Sequence, residues 1–210
     1  MRRLEKAKRS IFFCSFGKDS SAVLHLIRAH LAKTLVVFID CGAIYPDISA
    51  WAKEKGKALP HFLYFNTPGD FWEEVRRKGW PVEVDIPDLS GFGGEALGND
   101  PLVFRVKVRP WTHCIYERFW RPMTTIIEAY KPDLVITGER KVDHPYRPLE
   151  NGNGGIPHLR PIEDWDDEQV WSYLDLHRIE LCETYRSRQA SRRDCYACMG
   201  GGGDIRHNQA

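Results

Sequence analysis

Four short apolar runs, the first three separated by segments of helical length and the fourth following later, constrain the fold of this chain more than any other feature. They are "SIFFCSF" (10–16), "TLVVFID" (34–40), "HFLYFN" (61–66) and "DLVITG" (133–138). A strand with one wet face alternates apolar and polar residues. These runs are apolar nearly throughout, so both faces need cover, and a parallel sheet between two helical layers provides it. After the first run, Val23, Leu24, Ile27 and Leu31 recur at helical spacing, which predicts a helix near 19–32. Further helices are expected near 47–58, over "DFWEEVRRKG" and near 114–130. The expected fold is α/β, a doubly wound, mostly parallel sheet with helices on both faces. Residues 1–180 would form one domain, and 181–210 a short extension containing cysteines. Two stretches rich in Gly, Pro and Asp, 86–112 and 143–160, interrupt the alternation and read as long loops over the site.

Ligands of such sheets sit at the C-terminal ends of the strands. There the first run turns into its helix through Ser15-Phe16-Gly17-Lys18-Asp19-Ser20. Gly17 lets the turn close, and Asp19 or Ser20 is expected to cap the helix. First-turn amides, the hydroxyls of Ser15, Ser20 and Ser21, and the Lys18 ammonium together suit an anion. The alternative is an ordinary capped helix with a surface lysine. The loop lacks the GxxxxGK[ST] pattern of a Walker A sequence. Asp40, ending the second run, either caps the next turn or contacts a ribose or a magnesium ion. Arg140, following Gly138 and Glu139, is either an exposed loop residue or an anion ligand, with Lys141, Arg147 and Arg160 as weaker helpers.

Lysine and arginine (30) nearly balance aspartate and glutamate (29), so no overall charge marks the chain for nucleic acid or membrane. Arg186, Arg188, Arg192 and Arg193 do gather, as a solvated face or as contacts for a nucleic-acid acceptor. The start "MRRLEKAKRS" lacks the apolar stretch of a signal peptide, and the expected location is cytoplasmic. Six cysteines in a reducing compartment are then thiols or metal ligands rather than disulfides. Cys195-x-x-Cys198 has a spacing that lets two thiolates reach one metal, and a redox dithiol is the alternative. Cys14 and Cys41 are expected as small buried residues at strand ends, and Trp165, Trp171 and Tyr173 as core.

Several pieces, in order, resemble one family. SFGKDS is similar to the SGGxDS loop of the adenine nucleotide alpha-hydrolase-like (PP-loop) superfamily, with Phe16 where Gly is usual. "FIDCGAIYPD", "THCIYERFWRP", "ITGERKVDHPYRP", "RPIEDWDDEQVWSYL" and "SRRDCYACMG" resemble successive elements of the phosphoadenosine phosphosulfate (PAPS) reductase family, nearest its ATP-using, sulfur-inserting relatives. The resemblance implies that Ser15, Phe16, Gly17, Lys18, Asp19, Ser20, Asp40, Gly138 and Arg140 bind ATP or a related adenine nucleotide with Mg²⁺. Lys18, Asp19 and Arg140 would act in catalysis. It also implies a 4Fe–4S cluster on Cys114, Cys195 and Cys198. Cys182 would be the fourth ligand, or else His113 or an external thiolate, and zinc on the same residues is the alternative. The implied activity is an ATP pyrophosphatase that adenylates an acceptor for iron–sulfur-dependent sulfur transfer, with a sulfur donor protein and an oligomeric assembly among the partners it allows. A sulfonucleotide reductase and a non-catalytic nucleotide- or cluster-binding subunit are the alternatives. Against the reductase, the closing "GGGGDIRHNQA" departs from the Glu-Cys-Gly-Leu-His tail of those enzymes.

Overall fold

A computed structural model of the chain describes residues 2–82, 108–143 and 155–186. Its elements run α1 (Arg2–Lys6), β1 (Ser10–Phe13), α2 (Lys18–Leu26), β2 (Thr34–Asp40), α3 (Pro46–Gly56), β3 (Phe62–Asn66), α4 (Phe71–Lys78) and β4 (Trp80–Val82). After these come β5 (Val108–Pro110), α5 (Trp111–Ile115), α6 (Arg121–Tyr130), β6 (Leu134–Ile136), β7 (His158–Leu159), α7 (Asp167–Leu176) and α8 (Glu183–Arg186). Five strands form one parallel sheet in the order β3-β2-β1-β6-β7, and β4 pairs with β5 separately.

Strand alternation divides the apolar residues between two faces. Phe12, Val36, Phe38, Leu134 and Ile136 point to one, where Ala22 and Val23 of α2, Ile48 and Ala52 of α3, and Val170 and Leu174 of α7 cover them. Ile11, Phe13, Val37, Ile39 and Val135 point to the other and meet Ile126 of α6. Both faces are therefore dry, and this is why the strands read as unbroken apolar runs.

Two expectations needed adjustment. The helix expected near 19–32 ends as an α-helix at Leu26 and tightens into a 3₁₀ stretch over Arg28–Lys33, with Arg28 Nη1 donating to the His25 carbonyl at 2.9 Å. The stretch 143–160, read as loop, contributes β7. Val135 N–H donates to the Pro157 carbonyl at 3.0 Å and Thr137 N–H to the Leu159 carbonyl at 3.2 Å. Two residues are too few to show a period in sequence. Of the other expected loop, 86–107 lies outside the described residues and 108–112 opens β5 and α5.

The helix expected near 114–130 is continuous from Trp111 to Tyr130, with a π turn at Tyr116–Trp120 between α5 and α6. Pro122 explains part of it. Proline has no N–H, so the carbonyl four residues back, on Arg118, loses its helical donor. The Thr67 hydroxyl supplies one at 2.7 Å. The Arg118 guanidinium is itself buried and donates through Nη1 to the Pro68 and Gly69 carbonyls at 3.0 and 2.9 Å, tying this helix to the start of α4.

One glycine tests the packing of α3 on β3. A Cβ on Gly56 would lie 2.1 Å from the Phe62 ring, which also packs edge-on with Phe16 at a centroid distance of 6.0 Å. Gly56→Ala should therefore destabilise the protein by about 1–2 kcal/mol in urea unfolding, despite alanine's better helix propensity. Unchanged or greater stability would show that the ring has room to move.

Candidate functional site

The strand order reverses at β1: β2 lies on one side and β6 on the other, so a crevice opens at the C-terminal ends of β1 and β6. Ser15–Ser20 forms one lip, and Thr137–Arg140 the other.

The first lip is made by an unusual backbone. Phe16 adopts φ +59°, the left-handed region where a side chain costs energy and glycine does not. Its ring repays that cost in the core, 2% exposed, with centroids 6.1 Å from Phe38 and 6.0 Å from Phe62. The departure from the usual glycine thus keeps the glycine's conformation. Gly17, not Asp19 or Ser20, is the N-cap of α2, and no side chain caps the helix. The serine hydroxyls turn inward instead: Ser20 donates to the Gly17 carbonyl at 3.2 Å and Ser21 to the Phe16 carbonyl at 3.1 Å, while Ser15 Oγ accepts from Gly17 N–H at 3.3 Å. The first-turn amides of α2 are thereby left without a side-chain acceptor.

Gly138 lets the second lip close on the first. A Cβ there would stand 3.3 Å from the Ser20 nitrogen, so the β6 loop touches the α2 backbone directly. A Cβ on Gly17 would lie 3.4 Å from the ring of Tyr185, which brings α8 against the loop as well.

Charge gathers where the lips meet. Arg140 is 1% exposed and is held by three carboxylates: Asp143 through Nε (3.2 Å) and Nη2 (2.9 Å), Asp167 through Nη1 (2.9 Å), and Asp19 through Nε (3.2 Å). Burial alone would lower its pKa, but Asp19, Asp143 and Asp167 together raise it. Arg140 is therefore neither an exposed loop residue nor a bare anion ligand. Lys18 Nζ lies 2.8 Å from Asp19 Oδ1 and 2.8 Å from Asp167 Oδ1. Burial would raise the Asp167 carboxyl, yet Lys18 and Arg140 pull it down to about 2.

Asp40 ends β2 and is held by three donors. It accepts from Gly42 N–H at 2.8 Å, from the Ser49 hydroxyl at 3.4 Å and from the Tyr64 hydroxyl. Desolvation, with the Asp40 carboxylate second, pushes Tyr64 up to about 12. In this geometry Asp40 caps the next turn.

The cysteines fall into different places. Cys114 is buried in a small apolar cluster with Ala43 and Phe71, and the half-buried Cys41 packs against the same cluster. Cys182 is 3% exposed in the main core, where burial pushes its thiol up to about 11, and Cys14 is raised to about 12 for the same reason. Asp47, the acidic half of the Pro46-Asp47 pair, accepts from Thr184 N–H (3.1 Å) and hydroxyl (2.7 Å), fixing the segment that carries Cys182. His113, beside Cys114, is exposed. Among the described residues no three or more His, Cys, Asp or Glu side chains group to hold a metal. Cys195 and Cys198 lie outside the described residues, as do Arg147, Arg188, Arg192 and Arg193. Arg186 is exposed and donates through Nε to the Leu181 carbonyl at 3.1 Å. Lys141 pairs with Asp164, and Arg160 with Glu139. No described helix is long and apolar enough to cross a membrane.

Sequence reasoning missed Asp143, Asp167 and Tyr185. For Asp167 a signal existed. Asp166 and Gln169 form a capping box that starts α7, which puts Asp167 at its first residue.

A parallel sheet with an uncapped helix N-terminus at its switch point defines a doubly wound α/β protein. The phosphoadenosine phosphosulfate reductase domain model matches residues 101–200, a stretch that begins beyond the Ser15–Ser20 loop. An uncharacterized protein of Methanocaldococcus jannaschii is 25% identical over 190 residues, covering 88% of this chain and 40% of the relative. The phosphoadenosine 5′-phosphosulfate reductase of Xanthomonas campestris pv. campestris is 25% identical over 171 residues, covering 79% of this chain and 61% of the relative. The chain thus spans less than two thirds of the length of either. Among solved structures, the PAPS reductase of Candida auris in its phosphate complex superposes with TM-score 0.54 at 16% identity, covering 83% of this chain and 75% of that one. The U34-tRNA thiolase NcsA of Methanococcus maripaludis, with its [4Fe-4S] cluster, gives 0.52 at 12% identity, covering 89% and 64%. The chain is thus similar in sequence to PAPS reductases over most of its length and shares their α/β fold.

The charge cluster makes a pH prediction. Asp167 is depressed to about 2 in the folded protein, below the ordinary 3.8, so its contribution to stability is complete above pH 4 and is lost as the pH falls toward 2. Because its side chain is 40% exposed, the contribution is discounted to about 1 kcal/mol. Denaturant titrations should show the wild type losing that amount more than Asp167→Asn between pH 4 and 2. Equal losses would mean that the ion pairs add nothing.

Proposed function

We propose that the chain binds an adenine nucleotide by its phosphate chain at Ser15–Ser20 and acts as an ATP pyrophosphatase, adenylating an acceptor for sulfur transfer. One observation carries this reading: α2 begins at the switch point of the sheet with no side-chain cap and with Lys18 as its first residue. Helix-terminal amides stabilise negative charge, and here the charge that grows during reaction is on departing pyrophosphate. The acceptor oxygen would attack the α-phosphorus as the bond to the bridging oxygen breaks, and the electron pair leaves with pyrophosphate. Magnesium arriving with the nucleotide would neutralise part of that charge. Lys18 would follow the phosphates, while Arg140 holds Asp19, Asp143 and Asp167 in place around it.

A 4Fe–4S cluster fits the proposed sulfur chemistry, and one is present in the similarly folded tRNA thiolase. In this chain it would draw on Cys195 and Cys198. Cys114 and Cys182 occupy separate apolar clusters. A second reading, a sulfonucleotide reductase, is favoured by the Xanthomonas and Candida relatives.

Calorimetric titration separates the two. ATP with Mg²⁺ should bind at micromolar to sub-millimolar affinity, and Lys18→Met should weaken it by about one to two decades, the worth of a charge-assisted contact. Far tighter binding of adenosine 5′-phosphosulfate or its 3′-phosphorylated form would install the reductase. Binding of none of them would remove the nucleotide reading. Anaerobic purification with iron and sulfide analysis tests the cluster, for which four irons and four sulfides per chain are expected.

A further inference from the structure

In the crevice two cations, Lys18 and Arg140, face three carboxylates, Asp19, Asp143 and Asp167. A polyphosphate approaching the α2 amides therefore meets a cluster whose positive charge is already spoken for. Something has to be released before Lys18 can serve the ligand.

The geometry points to Lys18 as a two-position cation, held on Asp167 in the free protein and transferred to a polyphosphate on binding, with Asp167 the positioning residue that sets the threshold. This inference rests on the nucleotide reading above.

Three features support the transfer. Asp19 is the neighbouring residue and moves with Lys18 on α2, whereas Asp167 belongs to α7, anchored independently by its capping box and by Val170 and Leu174 in the core. The ammonium therefore leaves Asp167 when it turns toward the helix N-terminus. That departure does not orphan the carboxylate, because Asp167 Oδ1 also accepts from Arg140 Nη1 at 2.9 Å. Arg140 is buried and itself fixed by Asp143 through Nε and Nη2, so it stays behind as the compensating charge. Removing one partner of an ion pair is costly when the other is left uncompensated, and this arrangement avoids that cost.

The competition selects the ligand. To displace a carboxylate from an ammonium, an incoming anion has to offer more charge than the carboxylate does. Pyrophosphate or a nucleoside triphosphate meets that demand, and a singly charged anion does not.

The test is calorimetric titration with sodium pyrophosphate in a chelator, so that no divalent metal contributes. Freed of its competitor, Asp167→Asn should bind pyrophosphate about three- to tenfold more tightly than the wild type, while its affinity for uncharged adenosine stays the same. A merely structural role predicts weaker binding, so the sign of the change is the diagnostic. Asp167→Ser should show the same gain and stands in if the asparagine variant does not fold. In a Lys18→Met background the gain should disappear. Equal or weaker pyrophosphate binding by the Asp167 variants, or a gain that persists without Lys18, overturns the inference while leaving wild-type ATP binding intact. If the wild type binds neither ATP nor pyrophosphate, the nucleotide reading fails and this inference with it.

Discussion

The burial of Arg140 among Asp19, Asp143 and Asp167 is the interaction on which the rest of the site depends. A guanidinium with 1% exposure is unstable without compensation, and each of its partners comes from a different part of the chain. Asp19 brings the first turn of α2, Asp143 the loop after β6, and Asp167 the start of α7. One charge thus pins three elements around the crevice at the switch point of the sheet. The planar fork matters, since Nε and Nη2 grip Asp143 together while Nη1 reaches Asp167 and Nε also faces Asp19, and lysine has no such geometry.

Around that pin the loop backbone is arranged to leave the helix terminus available. Phe16 takes a left-handed conformation and is held there by its ring in the core. The serines that sequence would place on a ligand bond to loop carbonyls instead. Gly138 brings the opposite lip into van der Waals contact with Ser20. With no side chain capping α2, its first amides keep no side-chain acceptor, and the hydroxyls of Ser20 and Ser21 brace the loop.

Much of the fold was legible because its signal is local. The apolar runs of β1, β2, β3 and β6 need no partner to be recognised, and neither does the amphipathic spacing of α6. What escaped was set by tertiary contact. β7 is two residues long and exists by pairing with β6. Arg140 could be named as functional from its position after a strand, but not as buried, because its partners lie 3, 27 and 121 residues away along the chain (Asp143, Asp167 and Asp19). Asp40 could be named from its place at the end of a strand, but not its partners, the Gly42 amide in the next turn and the Tyr64 hydroxyl on β3. The cysteine spacing was visible, yet spacing does not say which apolar cluster a distant thiol joins. Cys114 and Cys182 joined different ones.

The central claim is that the uncapped N-terminus of α2 receives a phosphate chain. Amide-resolved NMR during titration with ATP and Mg²⁺ tests it most directly. The account predicts that the backbone amides of Lys18, Asp19 and Ser20 shift first and furthest, together with Gly138 across the crevice. Saturable binding that leaves those amides unmoved and perturbs another part of the chain would contradict it.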